Sequence, residues 1–261
     1  MGQPWQVVGV GTVIESPTHG PELCLGALML SLHPQGGGPP IANWDWSAVT
    51  GYERMNGTTW GTYEVVGTYD GQAFTLTRPP VRPPPDRAEL DLGSTPSTPC
   101  PEPKGGWHVH DPSRTTDRLM HRTLRRARRL DGYAGAWLDQ SINPASRSTD
   151  DEDAAELMND PMRLIINVAV TRDLETAEQT LREVWGGAMC VSLARYTKDE
   201  LAAAQDAVID DVFKTGKLLS VSIAQDHVGV DVIFDDGALQ EDLDRRHGVG
   251  LVIVTSALRR L

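Results

Sequence analysis

Nine of the chain's 18 prolines fall in residues 78–106, a stretch that opens Arg-Pro-Pro-Val-Arg-Pro-Pro-Pro and closes Ser-Thr-Pro-Ser-Thr-Pro-Cys-Pro-Glu-Pro. Proline has no amide donor and a fixed φ, so such a stretch stiffens toward polyproline II and neither joins a sheet nor continues a helix. A boundary is expected there, with an all-β domain over residues 1–78, a linker over 79–106 and a second domain over 107–261. With 261 residues the chain is long enough for both halves to bury a core.

Before the boundary, residues 6–14, 23–32, 60–68 and 72–77 are rich in Val, Thr and aromatic side chains, with Asp70-Gly71 between the last two as a type I′ hairpin turn. These strands predict a small β-barrel-like domain. Residues 34–40, with three glycines and three prolines, are a loop. After the boundary the pattern alternates. Helices are expected over 113–130, 174–185, 197–214 and 238–246, the third opened by a Thr197/Glu200 capping box. Strands are expected over 133–138, 162–170, 188–194, 218–224, 228–234 and 251–257. The second half therefore reads as an α+β sandwich with helices mainly on one face of a sheet, and the chain as a whole as α+β. The acidic residues 150–153 read as a solvated insertion. No repeat of fixed period is legible, although the recurring helix-and-strand pairing leaves room for an old duplication.

The most distinctive candidate surface is a row of arginines. Arg114, Arg118, Arg122, Arg125 and Arg129 fall within roughly an 80° stripe on a helix, while Leu119, Met120, Leu124, Ala127 and Leu130 take the opposite side. The chain as a whole carries 24 Lys+Arg against 36 Asp+Glu, a formal net charge of −12, which argues against a globally basic nucleic-acid binder. An isolated basic face in an acidic chain calls for an anion: an acidic protein partner or peptide first, a nucleic acid or an anionic lipid as the alternative.

Three other groupings carry less. His108 and His110, in Trp-His-Val-His-Asp, share a face of an extended chain, and with Asp111 they form the beginning of a zinc site; His19, His33 and His121 are the remaining sources of a further ligand. Trp44, Trp46, Trp60 and Tyr63, following the glycine loop at 36–38, suit either a core or a ligand platform. Cys24, Cys100 and Cys190 lack metal-ligand spacing and are expected as one exposed and two buried thiols. No G-x-S-x-G, P-loop, H-E-x-x-H or complete dinucleotide fingerprint occurs, and no cofactor is implied. No run of 18 apolar residues is present, and the first five residues lack the pattern of an export signal. A cytoplasmic location is expected, with the cell envelope as the alternative if a signal has been trimmed.

Two resemblances add to this. RRLDGYAGAWLDQ (128–140) and IINVAVT (165–171) resemble the pro-regions of streptogrisin and α-lytic-type bacterial serine proteases, which implies an α+β lobe that binds a protease domain through sheet and helix. GVGTVIESPTHGPELCLG (9–26), with WDW (44–46) and GTTWGTY (57–63), resembles a two-domain actinobacterial family from which no activity carries over. Members of that family have a cysteine in the glycine loop where this chain has Gly36. The sequence reading is thus a non-enzymatic binding protein with a Trp/Gly loop surface and a basic helix. A metal-dependent hydrolase built near His108, His110 and Asp111 is the opposing class, and a surface binder of anionic membranes or nucleic acid the third.

Overall fold

The computed structural model describes residues 5–26, 37–84, 97–144, 160–224 and 226–261. The chain divides into two compact units, Met1–Leu92 with Ala204–Ile223 and Val228–Leu261, and Gly93–Ala203 with Ala224–His227. Most of the C-terminal third thus clusters with the N-terminal residues.

The first unit is organised on two long antiparallel strands, β1 (Trp5–Ser16) and β4 (Thr58–Tyr69). β2 (His19–Cys24) extends the sheet beside the second half of β1, and β3 (Glu53–Met55) and β5 (Phe74–Leu76) pair with the two ends of β4. Side chains alternate along β4, so Tyr63, Val65 and Tyr69 enter the core with Val7, Val13, Leu23 and Phe74. Gly67 is required there, because a Cβ would stand 2.1 Å from the Thr75 carbonyl oxygen. Among the described residues no sheet closes into a barrel: the six-stranded sheet is open, and the barrel-like expectation is corrected. Its far edge is formed by the last residues of the chain, β12 (Arg259–Arg260), which pair with Val7 and Val8 and bury Leu258 beneath.

Turn chemistry differs from the sequence reading in one place. Asn56 and Gly57 both have positive φ between the paired residues Met55 and Thr58, which is the two-residue type I′ geometry. At Asp70-Gly71 only the glycine is left-handed, and the Asp70 carboxylate accepts the amides of Gln72 and Ala73, which makes a longer side-chain-closed turn.

Beyond the proline-rich stretch one arrangement occurs twice. Helix α1 (Asp117–Ala127), β6 (Tyr133–Asp139), β7 (Ile165–Val170), α2 (Leu174–Arg182) and β8 (Ala188–Leu193) form a sheet in which β6 and β7 are antiparallel and β7 and β8 parallel. Helix α3 (Lys198–Phe213), β9 (Leu218–Ile223), β10 (Val228–Val232), α4 (Ala238–His247) and β11 (Val252–Ser256) repeat the same order and the same pairing. In both, the parallel pair requires a crossover, and a helix supplies it. The single sheet expected in the second half is thus two three-stranded sheets.

The first of these sheets is covered on both faces, which is why β7 is buried along its whole length and apolar at every position but Asn167. Ile166, Val168 and Val170 meet α1 and α2 through Met120, Ala127 and Leu181, and meet Trp185 in the turn that follows α2. On the other face Ile165, Ala188 and Cys190 meet Trp107, Ile142 and Cys100. Cys100 and Cys190 are joined by a disulfide, so the expectation of separate thiols holds only for buried Cys24. Proximity alone decides this, since 90 residues separate the pair in sequence and their Cα atoms lie 5.8 Å apart.

The same face holds a polar mismatch. Asn167 is fully buried between Trp137 and Cys190, and among the described residues neither its Oδ1 nor the Trp137 Nε1 has a hydrogen-bond partner. Its side-chain amide donates to the Ile165 carbonyl, at 3.3 Å. A buried orphan acceptor costs about 1–3 kcal/mol, so Asn167→Val is expected to stabilise the protein by about 1 kcal/mol and to raise Tm by about 2–4 °C, read by calorimetry. An unchanged or lower Tm would show that this face is satisfied in solution.

Candidate functional site

The arginine surface is created by the way α1 docks. Thr116 caps the helix by accepting the Leu119 amide, and Met120, Thr123 and Ala127, spaced three and four apart, are buried. The Thr123 hydroxyl donates to the Leu119 carbonyl at 2.8 Å, which satisfies it without a partner outside the helix. The opposite side presents Arg118, Arg122 and Arg125 to solvent, with Arg129 one turn on, just past the helix end. Together with Arg126 they enclose a hollow of about 430 Å³ lined by guanidinium groups. Arg126 pairs with Glu183; among the described residues no carboxylate pairs with Arg118, Arg122, Arg125 or Arg129.

Arg114 departs from the expectation. The helix begins at Asp117, and Arg114 lies before it in a 3-10 turn, Pro112–Arg114. Its Nε donates to the Asp111 carboxylate at 2.7 Å and its Nη1 to the Arg182 carbonyl at 2.9 Å. Arg114 therefore fastens two segments together, and Arg126, outside the stripe read from the sequence, takes a place around the hollow.

A second feature of the same unit is a groove of about 360 Å³ that includes the disulfide, Trp107, His108, His110, Glu178 and Arg182 in its walls. The two imidazole rings lie 4.4 Å apart, as the alternate spacing implied. Their segment is fixed by backbone: the amides of His110 and Asp111 both donate to the Gly186 carbonyl, at 2.7 and 3.0 Å. Partial desolvation of its ring, then the neighbouring Arg182 and His108, push the His110 pKa below the usual imidazole range.

Asp111 does not join the histidines. Its carboxylate accepts from the Ser113 hydroxyl and amide and from Arg114, which hold its pKa at about 2. His121 stands beside Asp117 on α1, and His19 beside Glu22 on β2; His33 lies outside the described residues, as do Gly36 and residues 150–153. Among the described residues no three His, Cys, Asp or Glu side chains gather in a metal-binding arrangement.

In the first unit three of the four named aromatic residues meet. Trp44 lies 5.2 Å from Trp46 and 5.2 Å from Tyr63, all edge to face, and Trp46 continues the array to Tyr52. Tyr63 is buried and donates its hydroxyl to the Thr50 carbonyl, the Trp46 indole N–H donates to Glu15, and both tryptophans pack on the core of that unit. Trp60 sits on the other face of β4, an odd number of residues from Tyr63. The glycine loop ends against β2, where a Cβ on Gly38 would fall 1.8 Å from the Leu23 carbonyl oxygen.

No known protein family matches the chain, and no curated protein matches it. No helix among the described residues is long and apolar enough to cross a membrane. The second unit carries two surfaces with functional chemistry. Among the described residues the groove offers paired imidazoles without a third ligand, whereas the hollow offers four arginines that no carboxylate neutralises.

Proposed function

We propose that the protein is a non-enzymatic binding protein whose arginine stripe docks an acidic protein or peptide. The observation that carries this reading is the exposure of Arg118, Arg122, Arg125 and Arg129 on one side of α1, unpaired among the described residues, in a chain of net charge −12. Guanidinium groups match carboxylates in a bidentate fork, which favours carboxylate clusters over featureless negative charge. The aromatic array supports the stability of the first unit more than a ligand platform, since Tyr63 lies in the core, Trp44 and Trp46 pack against it, and the Tyr63 and Trp46 donors are spent on Thr50 and Glu15. The resemblance of residues 128–140 and 165–171 to protease pro-regions agrees with a binding role. The Cys100–Cys190 disulfide favours an oxidising compartment, and so the cell-envelope alternative.

Labelled poly-L-glutamate is the first probe, with duplex DNA and anionic vesicles as comparators. Binding to polyglutamate is expected to weaken as salt rises and to fall at least about ten-fold in the R118E/R122E/R125E variant, because several exposed pairs of about 0.2–1 kcal/mol each become repulsive. Equal binding by the variant overturns the reading. Preference for DNA or vesicles moves the protein to the third class.

A further inference from the structure

The two αββαβ segments place opposite charges at equivalent positions. In α1, Thr116 caps the helix and Met120, Thr123 and Ala127 are buried. In α3, Thr197 caps the helix through a reciprocal bond pair with Glu200, and Leu201, Ala204 and Val208 are buried with the same spacing from the cap. Cap and buried row together fix one register between the helices. In that register Arg118, Arg122, Arg125 and Arg129 correspond to Asp199, Ala203, Asp206 and Asp210.

Asp199, Asp206 and Asp210 are exposed and, among the described residues, have no ion-pair or hydrogen-bond partner, whereas the neighbouring Asp211 is taken by Arg246. Both rows span eleven residue steps, about 16 Å at 1.5 Å per residue, with Arg129 just past the end of α1. Phe213, 73% exposed, continues the acidic row by three positions and offers a ring face to a guanidinium. We infer that the acidic partner of the arginine stripe is the aspartate row of a second copy of this chain. This rests on the docking role proposed above and names its partner. Laid antiparallel, Arg118 meets Asp210 and Phe213, Arg122 meets Asp206 and Arg129 meets Asp199, and the helix dipoles oppose. The net charge of −12 opposes association at long range, but about 8 Å of screening at 0.15 M salt removes most of that repulsion and leaves contact pairs.

The test is sedimentation of the full chain at 0.1 and 0.5 M NaCl over a concentration series, using the wild type, R118E/R122E/R125E and D199K/D206K/D210K. The wild-type mass is expected to rise from 28.5 kDa toward twice that with concentration at 0.1 M and to stay monomeric at 0.5 M. Each variant alone carries like charges on both rows and is expected to remain monomeric. Their equimolar mixture is expected to associate, since one supplies two acidic rows and the other two basic rows. The neutral D199N/D206N/D210N variant, checked for native circular dichroism, is expected to lose association without added repulsion. A wild type that stays monomeric, or variants that associate as it does, overturns the inference. Polyglutamate separates the two proposals: a monomeric wild type that still binds it leaves the docking role standing and removes only the second copy as partner.

Discussion

Replacing Cys100 and Cys190 by serine is expected to lower stability by about 2–4 kcal/mol and Tm by about 5–15 °C, measured by calorimetry beside the oxidised parent. The bond closes a loop across 90 residues and so restricts the unfolded chain strongly. Its loss also acts in the native state. The segment after Cys100 carries Trp107, His108 and His110 across the sheet, and without the bond its upstream anchor is Thr98, whose amide and hydroxyl donate to buried Asp139 at 2.9 and 2.6 Å. Burial raises the Asp139 pKa, but those bonds and the Ser141 donors outweigh it and keep the carboxylate ionised. That anchor survives the substitution, so the expected phenotype is a loosened histidine groove rather than unfolding. Reduced and oxidised protein with the same Tm would show that the disulfide does not form in solution.

That bond also marks where sequence reasoning stops. Periodicity and capping located the helices and strands of both αββαβ segments, including the Thr197/Glu200 box, because those signals are local. Pairing at a distance left no local trace. Nothing near Cys100 announces Cys190, and nothing in Arg259 and Arg260 announces that they complete a sheet begun at Trp5. Arg114 fits the arginine period, yet Pro112 and the Asp111 side chain build a separate turn that ends before α1 starts. Trp60 and Tyr63 are near in sequence, yet the alternation of a strand sends them to opposite faces. Asn56-Gly57 carries the same two-residue turn signal as Asp70-Gly71, and only the Asp70 side chain finds amides that close a longer turn. For the site, the stripe could be read from spacing alone, but its lack of neutralising carboxylates required three-dimensional neighbours.

The opposite face of the same sheet yields the second large effect. Trp185→Ala is expected to cost about 3–5 kcal/mol, read by urea unfolding, because the ring is fully buried among Met120, Ala127, Leu181 and Met189. Its Nε1 donates to the Ala188 carbonyl at 3.0 Å, and a Cβ on Gly187 would sit 2.5 Å from the ring, so the indole shapes the turn from α2 into β8. The same turn offers the Gly186 carbonyl to His110 and Asp111 and the Gly187 carbonyl to Arg182. Trp185→Phe keeps most of the packing and loses the donor, which is expected to cost about 1–2 kcal/mol. A cost below about 1 kcal/mol for the alanine variant would mean that the turn is held by its backbone bonds alone. The two large variants also separate the two surfaces. Trp185 shares its cluster with α1, so its truncation is expected to weaken polyglutamate binding along with stability. The disulfide lies across the sheet with Trp107 and Ile142, so the cysteine variant is expected to bind polyglutamate within about two-fold of wild type while it unfolds more easily.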